Sequence, residues 1–102
     1  MPYLPGSGVF MSTPHFILYN RSYCHLCEDM LQALLALQAP DENAPGWFTV
    51  ELIDVDADPE LVARYDELVP VLAGVRDGQP AVQLCHYFLD VDAVRGFLGG
   101  IA

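Results

Sequence analysis

Apolar positions along the chain change their spacing several times, and each change predicts a different element of secondary structure. A short apolar run at Phe16–Tyr19 predicts a buried strand. Leucines and Met30 then recur at helical spacing from Leu26 onward, up to the breakers Ala39–Pro40. This spacing predicts a helix over about 24–38. The pattern therefore begins with a strand that is followed directly by a helix.

The middle of the chain repeats this order in a shorter form. Aromatic and β-branched residues alternate with polar ones over Trp47–Val55, which predicts a second strand. Asp58 followed by Pro59 is typical of a helix start, because an acidic N-cap precedes a proline in the first turn. The apolar face that follows spans only Leu61–Tyr65, so the second helix is expected to be short.

The last third of the chain predicts a β-hairpin and a closing helix. The apolar segments Val69–Ala73 and Ala81–Cys85 flank Asp77–Gly78, a dipeptide typical of two-residue hairpin turns. A further helical face follows an acidic cap, either Asp90 or Asp92. The predicted order is β-α-β-α-β-β-α. Right-handed crossovers then favour an α/β fold, with a four-stranded mixed sheet flanked by helices.

Size and charge limit what such a chain does. Its 102 residues suit a single folded domain, expected over 15–102, preceded by a flexible N-terminal segment over 1–14 that is rich in Gly, Pro and Ser. Fourteen acidic residues stand against four arginines and no lysine, giving a formal net charge of −10. Nucleic acid and anionic membranes are therefore not expected as partners. No apolar run approaches the roughly 20 residues that a membrane-spanning helix requires.

Cysteine usage indicates a reducing compartment. Cys24, Cys27 and Cys85 are an odd number, which fits one reversible pair better than a framework of structural disulfides. The N-terminal segment has neither the positive region nor the sustained apolar run of a secretory signal. We therefore expect a cytoplasmic protein, and we expect it to be a monomer.

The strongest chemical signal is the pair of cysteines in the segment Cys24-His25-Leu26-Cys27, between the first strand and the first helix. Two thiols at this spacing can close a disulfide across the first turn of a helix. Cys24 would lie where unpaired N–H groups and the positive end of the helix dipole favour a thiolate, the species that attacks disulfides. Redox chemistry is the leading interpretation.

Residues around the first cysteine are candidates for tuning its reactivity. Arg21, and His25 when protonated, would favour the Cys24 thiolate, whereas Glu28 one turn later would oppose it by like-charge repulsion. The alternative for His25 is an ordinary solvated imidazole. Tyr23 is expected to flank the thiols in an apolar rim that faces the substrate, or else to pack on its own loop.

The element order, with its Cys-x-x-C at the start of the first helix, resembles the thioredoxin fold and, within it, the glutaredoxin-like proteins. The resemblance covers about residues 15–98. Residues 18–27 are similar to the active-site entry of glutaredoxins, including a basic residue three positions before the first cysteine. Residues 55–65 resemble the second strand and helix of thioredoxins. Val69-Pro70 falls where the family has its cis-proline.

The resemblance implies a dithiol mechanism that needs no bound cofactor. Cys24 would attack a substrate disulfide to form a mixed disulfide, and Cys27 would resolve it by displacing the product thiol. Val69 and Pro70, joined by a cis bond beside the thiols, would contact the substrate through the backbone that precedes the proline. The expected partner is a disulfide-containing protein, or glutathione as a co-substrate.

Departures from the family leave alternatives open. Residues 86–89, His-Tyr-Phe-Leu, replace the Gly-Gly that glutaredoxins carry before their last helix, so the use of glutathione stays open. Cys24 and Cys27 would in one alternative hold a metal or an iron–sulfur cluster, and in another the fold would serve protein interaction without turnover. Cys85 alternates with apolar residues in its strand and is expected to pack in the core, so no metal site that includes Cys85 is predicted.

Overall fold

The computed structural model describes residues 13–76 and 78–99 of the chain. Its elements are β1 His15–Asn20, α1 His25–Leu35, β2 Thr49–Asp54, a 3₁₀ turn Val55–Ala57, α2 Pro59–Tyr65, β3 Val71–Val75, β4 Val82–His86 and α3 Val91–Gly99. The predicted order of strands and helices is confirmed. Most of the N-terminal segment expected to be flexible, residues 1–12, lies outside the described residues. None of the helices within the described ranges is long and apolar enough to cross a membrane.

The four strands form one mixed sheet in the order β2-β1-β3-β4. β1 and β2 are parallel, whereas β3 is antiparallel to both of its neighbours. Tyr19 near the end of β1 and His86 at the end of β4 both lie opposite Val71, the first residue of β3. We call this end of the sheet the thiol end, because the chain leads from β1 directly to Cys24. The β3–β4 hairpin is as predicted, although Asp77 of its turn lies outside the described residues.

Side chains of β1 alternate between the two faces of the sheet, and helices cover both faces. Phe16 and Leu18 point into the larger core cluster, which α1 and α3 complete. Tyr19 packs against a smaller cluster on the other face, where α2 contributes Tyr65. Burial of each large apolar side chain stabilises the fold by about 1.5–3 kcal/mol. The fully buried members of the larger cluster are Phe16, Leu18, Leu34, Phe48, Leu72 and Val94, with Met30 almost fully buried.

The first helix ends earlier than its apolar spacing predicts. α1 stops at Leu35, and the chain continues in tight turns to Gln38. The backbone N–H of Leu37 donates to the carbonyl of Leu34 at 3.0 Å, and that of Gln38 donates to the carbonyl of Leu35 at 3.1 Å. Such i to i+3 bonds satisfy carbonyls at a helix end. Apolar spacing alone does not distinguish these turns from a further turn of α-helix.

Acidic caps start the second and third helices. Asp58 is the N-cap of α2, as predicted, and its Oδ1 accepts from the backbone N–H of Glu60 at 2.9 Å. For α3 the structure selects Asp90, whose Oδ1 accepts from the backbone N–H of Ala93 at 3.0 Å. Asp92 lies instead in the first turn of the helix. Both acids lie near the positive helix end, so their positions are favourable.

Candidate functional site

The two cysteines of the motif form a disulfide across the first turn of α1, with Cα atoms 5.2 Å apart. Cys24 is the N-cap of the helix, and its Sγ accepts a hydrogen bond from the backbone N–H of Cys27 at 3.1 Å. Cys24 is partly exposed, whereas Cys27 is only 4% exposed. An approaching group therefore reaches the sulfur of Cys24 before that of Cys27.

The chain turns sharply between β1 and α1, just before the disulfide. Tyr23 adopts a left-handed backbone conformation with φ of 59°, which is uncommon for a residue with a side chain. Its side chain is fully exposed to solvent. Tyr23 thus lies beside Cys24, and we call this edge of the thiol site the first rim. Contact between Tyr23 and a substrate stays a prediction.

A cavity of about 240 Å³ opens at the disulfide. Leu31 and Leu52 line one part of it with apolar surface, and Leu52 is half exposed. The polar part of the lining includes the guanidinium of Arg21 and the carboxylate of Glu28, which lies in the first turn of α1. The residues that supply this part are Asn20, Arg21, Ser22 and Glu28, next to Tyr23, Cys24 and Cys27.

Arg21 is held by two carboxylates from distant parts of the chain. Its Nε and Nη2 donate to Asp56 at 3.1 and 2.9 Å, and its Nη1 donates to Asp66 at 2.8 Å. These hydrogen bonds, those to Asp56 first, raise the pKa of Arg21 above its ordinary value, so the guanidinium stays charged. The two carboxylates carry two negative charges against the single positive charge of Arg21, so the three side chains together have a net negative charge. The predicted influence of Arg21 on the Cys24 thiolate stays a prediction.

His25 and Glu28 occupy the positions that their places in the helix predict. His25 follows Cys24 directly and is exposed at the start of α1. Glu28 lies in the first turn, is also exposed, and lines the cavity at the disulfide. Both side chains are near enough to the helix start to influence a thiolate there. Their opposing effects stay predictions.

The peptide bond between Val69 and Pro70 is cis, which confirms the bond predicted from the resemblance. Pro70 is fully buried and immediately precedes β3, at the thiol end of the sheet. The backbone N–H of Val69 donates to the carbonyl of Tyr65 at 3.2 Å, so it already has a partner within the chain. The sheet register thus brings the cis-proline and the disulfide to the same end, and their shared contact with a substrate stays a prediction.

Aromatic residues after β4 form a second rim that sequence analysis missed. Tyr87 also has a left-handed φ, 66°, and its backbone N–H donates to the carbonyl of Pro70 at 2.9 Å. Its hydroxyl donates to the backbone carbonyl of Glu67. Phe88 is 69% exposed and, together with Leu26, lines an apolar groove of about 270 Å³ beside α1. The sequence shows that the Gly-Gly of glutaredoxins is absent here. It does not show that Tyr87 hydrogen-bonds the loop after β4 to Pro70 and Glu67.

Asp66 and Glu67, two adjacent residues after α2, accept hydrogen bonds from the two rims. Asp66 accepts from Arg21 on the side of the cysteine loop, and the carbonyl of Glu67 accepts from Tyr87 on the other side. Sequence analysis missed these partners because Asp56 and Asp66 are 35 and 45 residues away from Arg21. A usable signal existed, since an arginine in a lysine-free acidic chain is expected to find carboxylates.

The third cysteine takes no part in the disulfide. Cys85 is partly buried on β4 and packs against the larger core cluster, as expected. Burial, the main cause, raises the pKa of its thiol. Within residues 13–76 and 78–99, no group of three or more His, Cys, Asp and Glu side chains is arranged to hold a metal ion.

Comparison with known proteins extends these observations. Residues 15–99 match the family model described as a glutaredoxin-like domain (DUF836). A solution NMR structure of a protein from Nitrosomonas europaea is 36% identical with a TM-score of 0.71, covering 88% of this chain and 96% of that one. A chloroplastic thioredoxin z is 20% identical with a TM-score of 0.61, covering 88% of this chain and 79% of that one. A protein from X. campestris is 25% identical with a TM-score of 0.55, covering 83% and 96%. No curated protein sequence matches the chain.

Proposed function

The chain belongs to the glutaredoxin-like domain family (DUF836) and has a thioredoxin fold, and we propose that it acts as a thiol–disulfide oxidoreductase. One observation carries the proposal, namely the Cys24–Cys27 disulfide at the start of α1, with Cys24 as the N-cap. A sulfur at this position accepts a backbone N–H and faces the positive end of the helix, so its thiolate is favoured once the disulfide is reduced.

The difference in exposure between the two sulfurs supports separate roles in the reaction. In the reduced protein, the Cys24 thiolate attacks one sulfur of a substrate disulfide, whose S–S bond breaks, and the first substrate thiolate leaves and takes up a proton. Cys27 then loses its proton and attacks the sulfur of Cys24, which releases the second substrate thiol. Two electrons pass from the protein to the substrate, and the Cys24–Cys27 disulfide is the product.

The surroundings of the disulfide support contact with a substrate from two sides. Tyr23 stands exposed on one side of Cys24, and the cis Val69–Pro70 peptide lies at the same end of the sheet. Arg21 and His25 are close enough in sequence to influence the thiolate. The reaction needs no bound cofactor, and its partner is a protein disulfide or glutathione disulfide. An odd number of cysteines fits activity in the reducing cytoplasm.

A redox titration tests the proposal directly. Purified protein is equilibrated with glutathione buffers, free thiols are trapped, and the disulfide is located by mass spectrometry. We expect a reversible disulfide between Cys24 and Cys27 with a potential of about −150 to −280 mV, the span of dithiol carriers. Cys85→Ser serves as the control and should leave this potential unchanged.

Variants of the two cysteines test their separate roles. Cys27→Ser should accumulate a mixed disulfide with glutathione on Cys24, because the resolving thiol is gone. Cys24→Ser should accumulate little, because Cys27 is buried. Thiols that stay reduced at every buffer ratio, or that are isolated with a metal attached, would overturn the proposal and favour the metal-binding alternative.

A further inference from the structure

We propose that Asp56 and Asp66 determine the substrate preference of the thiol site by holding Arg21 in ion pairs. With Arg21 neutralised, Cys24 reacts preferentially with disulfides that carry neutral or positively charged groups, and glutathione disulfide is disfavoured. The inference rests on the oxidoreductase function proposed above. It specifies the class of disulfide that the site accepts.

Arg21 is already occupied by partners within the chain. A free guanidinium in the cavity at the disulfide would bind a carboxylate of glutathione in the usual two-pronged geometry. Here Arg21 makes three hydrogen bonds of 2.8–3.1 Å, two to Asp56 and one to Asp66. An incoming carboxylate has to displace one of these partners before it binds.

A net negative charge remains around the sulfur atoms. Glu28 lines the same cavity as Arg21 and is exposed. Three carboxylates, those of Glu28, Asp56 and Asp66, therefore accompany a single guanidinium. Glutathione carries more carboxylates than ammonium groups, so this surface repels it. A fixed charge of this kind changes association rates by about tenfold or more at low salt.

The other cationic side chains do not offset this charge. The chain has no lysine and only three further arginines. Arg76 follows β3 at the opposite end of the sheet and donates to the carbonyl of Phe97. Arg64 stacks over the ring of Tyr65, and Arg95 is exposed on α3 rather than in the lining of the cavity. His25 is the remaining basic group beside Cys24, and it is exposed at the start of α1.

Three small disulfides that differ in charge test the preference. Cystamine is positive, hydroxyethyl disulfide is neutral and glutathione disulfide is negative. Each is reduced in the same way, since Cys24 expels one thiol and Cys27 expels the second, and the protein disulfide forms. The rate for each probe at about pH 8 is divided by the rate of dithiothreitol with the same probe, which removes the intrinsic reactivity of the probe. We expect normalised rates to fall from cystamine to glutathione disulfide by about tenfold or more, and less at high salt.

Variants of the two aspartates show whether they cause the preference. In Asp56→Asn/Asp66→Asn, the cystamine-to-glutathione ratio should fall by about fivefold or more, mainly because glutathione disulfide reacts faster. The ratio is independent of the fraction of Cys24 thiolate, because the same thiolate attacks both probes. Asp41→Asn/Glu42→Gln is the matched control, since it removes the same charge at the opposite end of the sheet and should leave the ratio unchanged. Should the double variant fail to fold, each single variant and the salt dependence of the unmodified protein give the same test.

The outcomes separate the two proposals. A normalised rate for glutathione disulfide equal to that for cystamine, or a ratio that the aspartate variants leave unchanged, would refute the role of Asp56 and Asp66. If no probe oxidises Cys24 and Cys27 in the folded protein, the oxidoreductase function itself is wrong. Faster oxidation by cystamine than by glutathione disulfide, with a ratio that falls in the aspartate variants and stays unchanged in the control variant, supports both.

Discussion

At the residue scale, the three cysteines occupy two different environments. Cys24 and Cys27 lie at a helix start, where backbone N–H groups meet the sulfur of the first cysteine. Cys85 lies within β4, where burial raises the pKa of its thiol and keeps it neutral. A neutral thiol is a poor nucleophile. The local environment thus separates one reactive thiol from one that serves the core.

Alkylation of the reduced protein should reveal this separation. With iodoacetamide at about pH 7.5, we expect Cys24 to be modified first and Cys85 more slowly than in urea-unfolded protein, because its raised pKa lowers the thiolate fraction. The modification of Cys85 should accelerate as the pH is raised further, because its thiol ionises only above its ordinary range. A mass-spectrometric time course measures both. Equal rates at Cys24 and Cys85 would contradict the prediction, and Cys85→Ala should leave the rate at Cys24 unchanged.

At the element scale, β3 and α3 approach so closely that one position excludes a side chain. A Cβ atom at Gly74 would lie 2.7 Å from a ring carbon of Phe97. Arg76 lies over the same ring at 5.1 Å and donates to the Phe97 carbonyl, which further restricts the position of the ring. Gly96 on the same helix has no atom within 4 Å of an added Cβ. The two glycines therefore serve different purposes.

Alanine at these two glycines should act in opposite directions. Gly74→Ala is expected to lower the free energy of unfolding by about 1–3 kcal/mol through overpacking. Gly96→Ala is expected to raise it by about 0.5–1 kcal/mol, because alanine favours an exposed helix position. Urea denaturation of the oxidised protein measures both changes. In Gly74→Ala/Phe97→Leu the smaller side chain should recover part of the loss, and two destabilising single variants would contradict the packing argument.

The sequence was sufficient for most features that depend on neighbouring residues, but not for the end of α1 or the cap of α3. Apolar spacing predicted the order of the elements, and the motif placed Cys24 and Cys27 at a helix start. The cap of α3 was ambiguous because Asp90 and Asp92 both suit the positive end of a helix. The ion pairs of Arg21 and the hydrogen bonds of Tyr87 depend on how distant segments of the chain meet across the sheet. Local spacing contains no information on such contacts, so the second rim and the ion pairs of Arg21 appear only in the fold.

At the scale of the whole molecule, acidic groups dominate the charge. The formal net charge is −10, and all of the positive side-chain charge at neutral pH comes from four arginines. Arg21 is tied to two carboxylates, and Arg76 donates to backbone carbonyls at the end of α3. Repulsion between the remaining carboxylates destabilises a compact state. Salt screens this repulsion over a distance of about 10 Å at 0.1 M.

Thermal stability should therefore rise with ionic strength. We expect Tm to increase as NaCl is raised from about 0.02 to 0.5 M, and screening worth about 1 kcal/mol corresponds to roughly 4–8 °C for a domain of this size. Thermal unfolding followed by circular dichroism measures the change. KCl at equal ionic strength should give the same curve, because screening does not depend on the identity of the cation. A Tm that falls with salt would mean that ion pairs outweigh the repulsion.

The turn after α2 limits how the whole thiol end can move. Asp66 accepts from Arg21 in the loop that leads to Cys24, and its neighbour Glu67 accepts from Tyr87 in the loop after β4, so one short segment is bonded to both loops. Outward movement of either loop breaks its hydrogen bond or displaces the segment that also holds the other loop. We therefore expect the two loops to move together rather than separately.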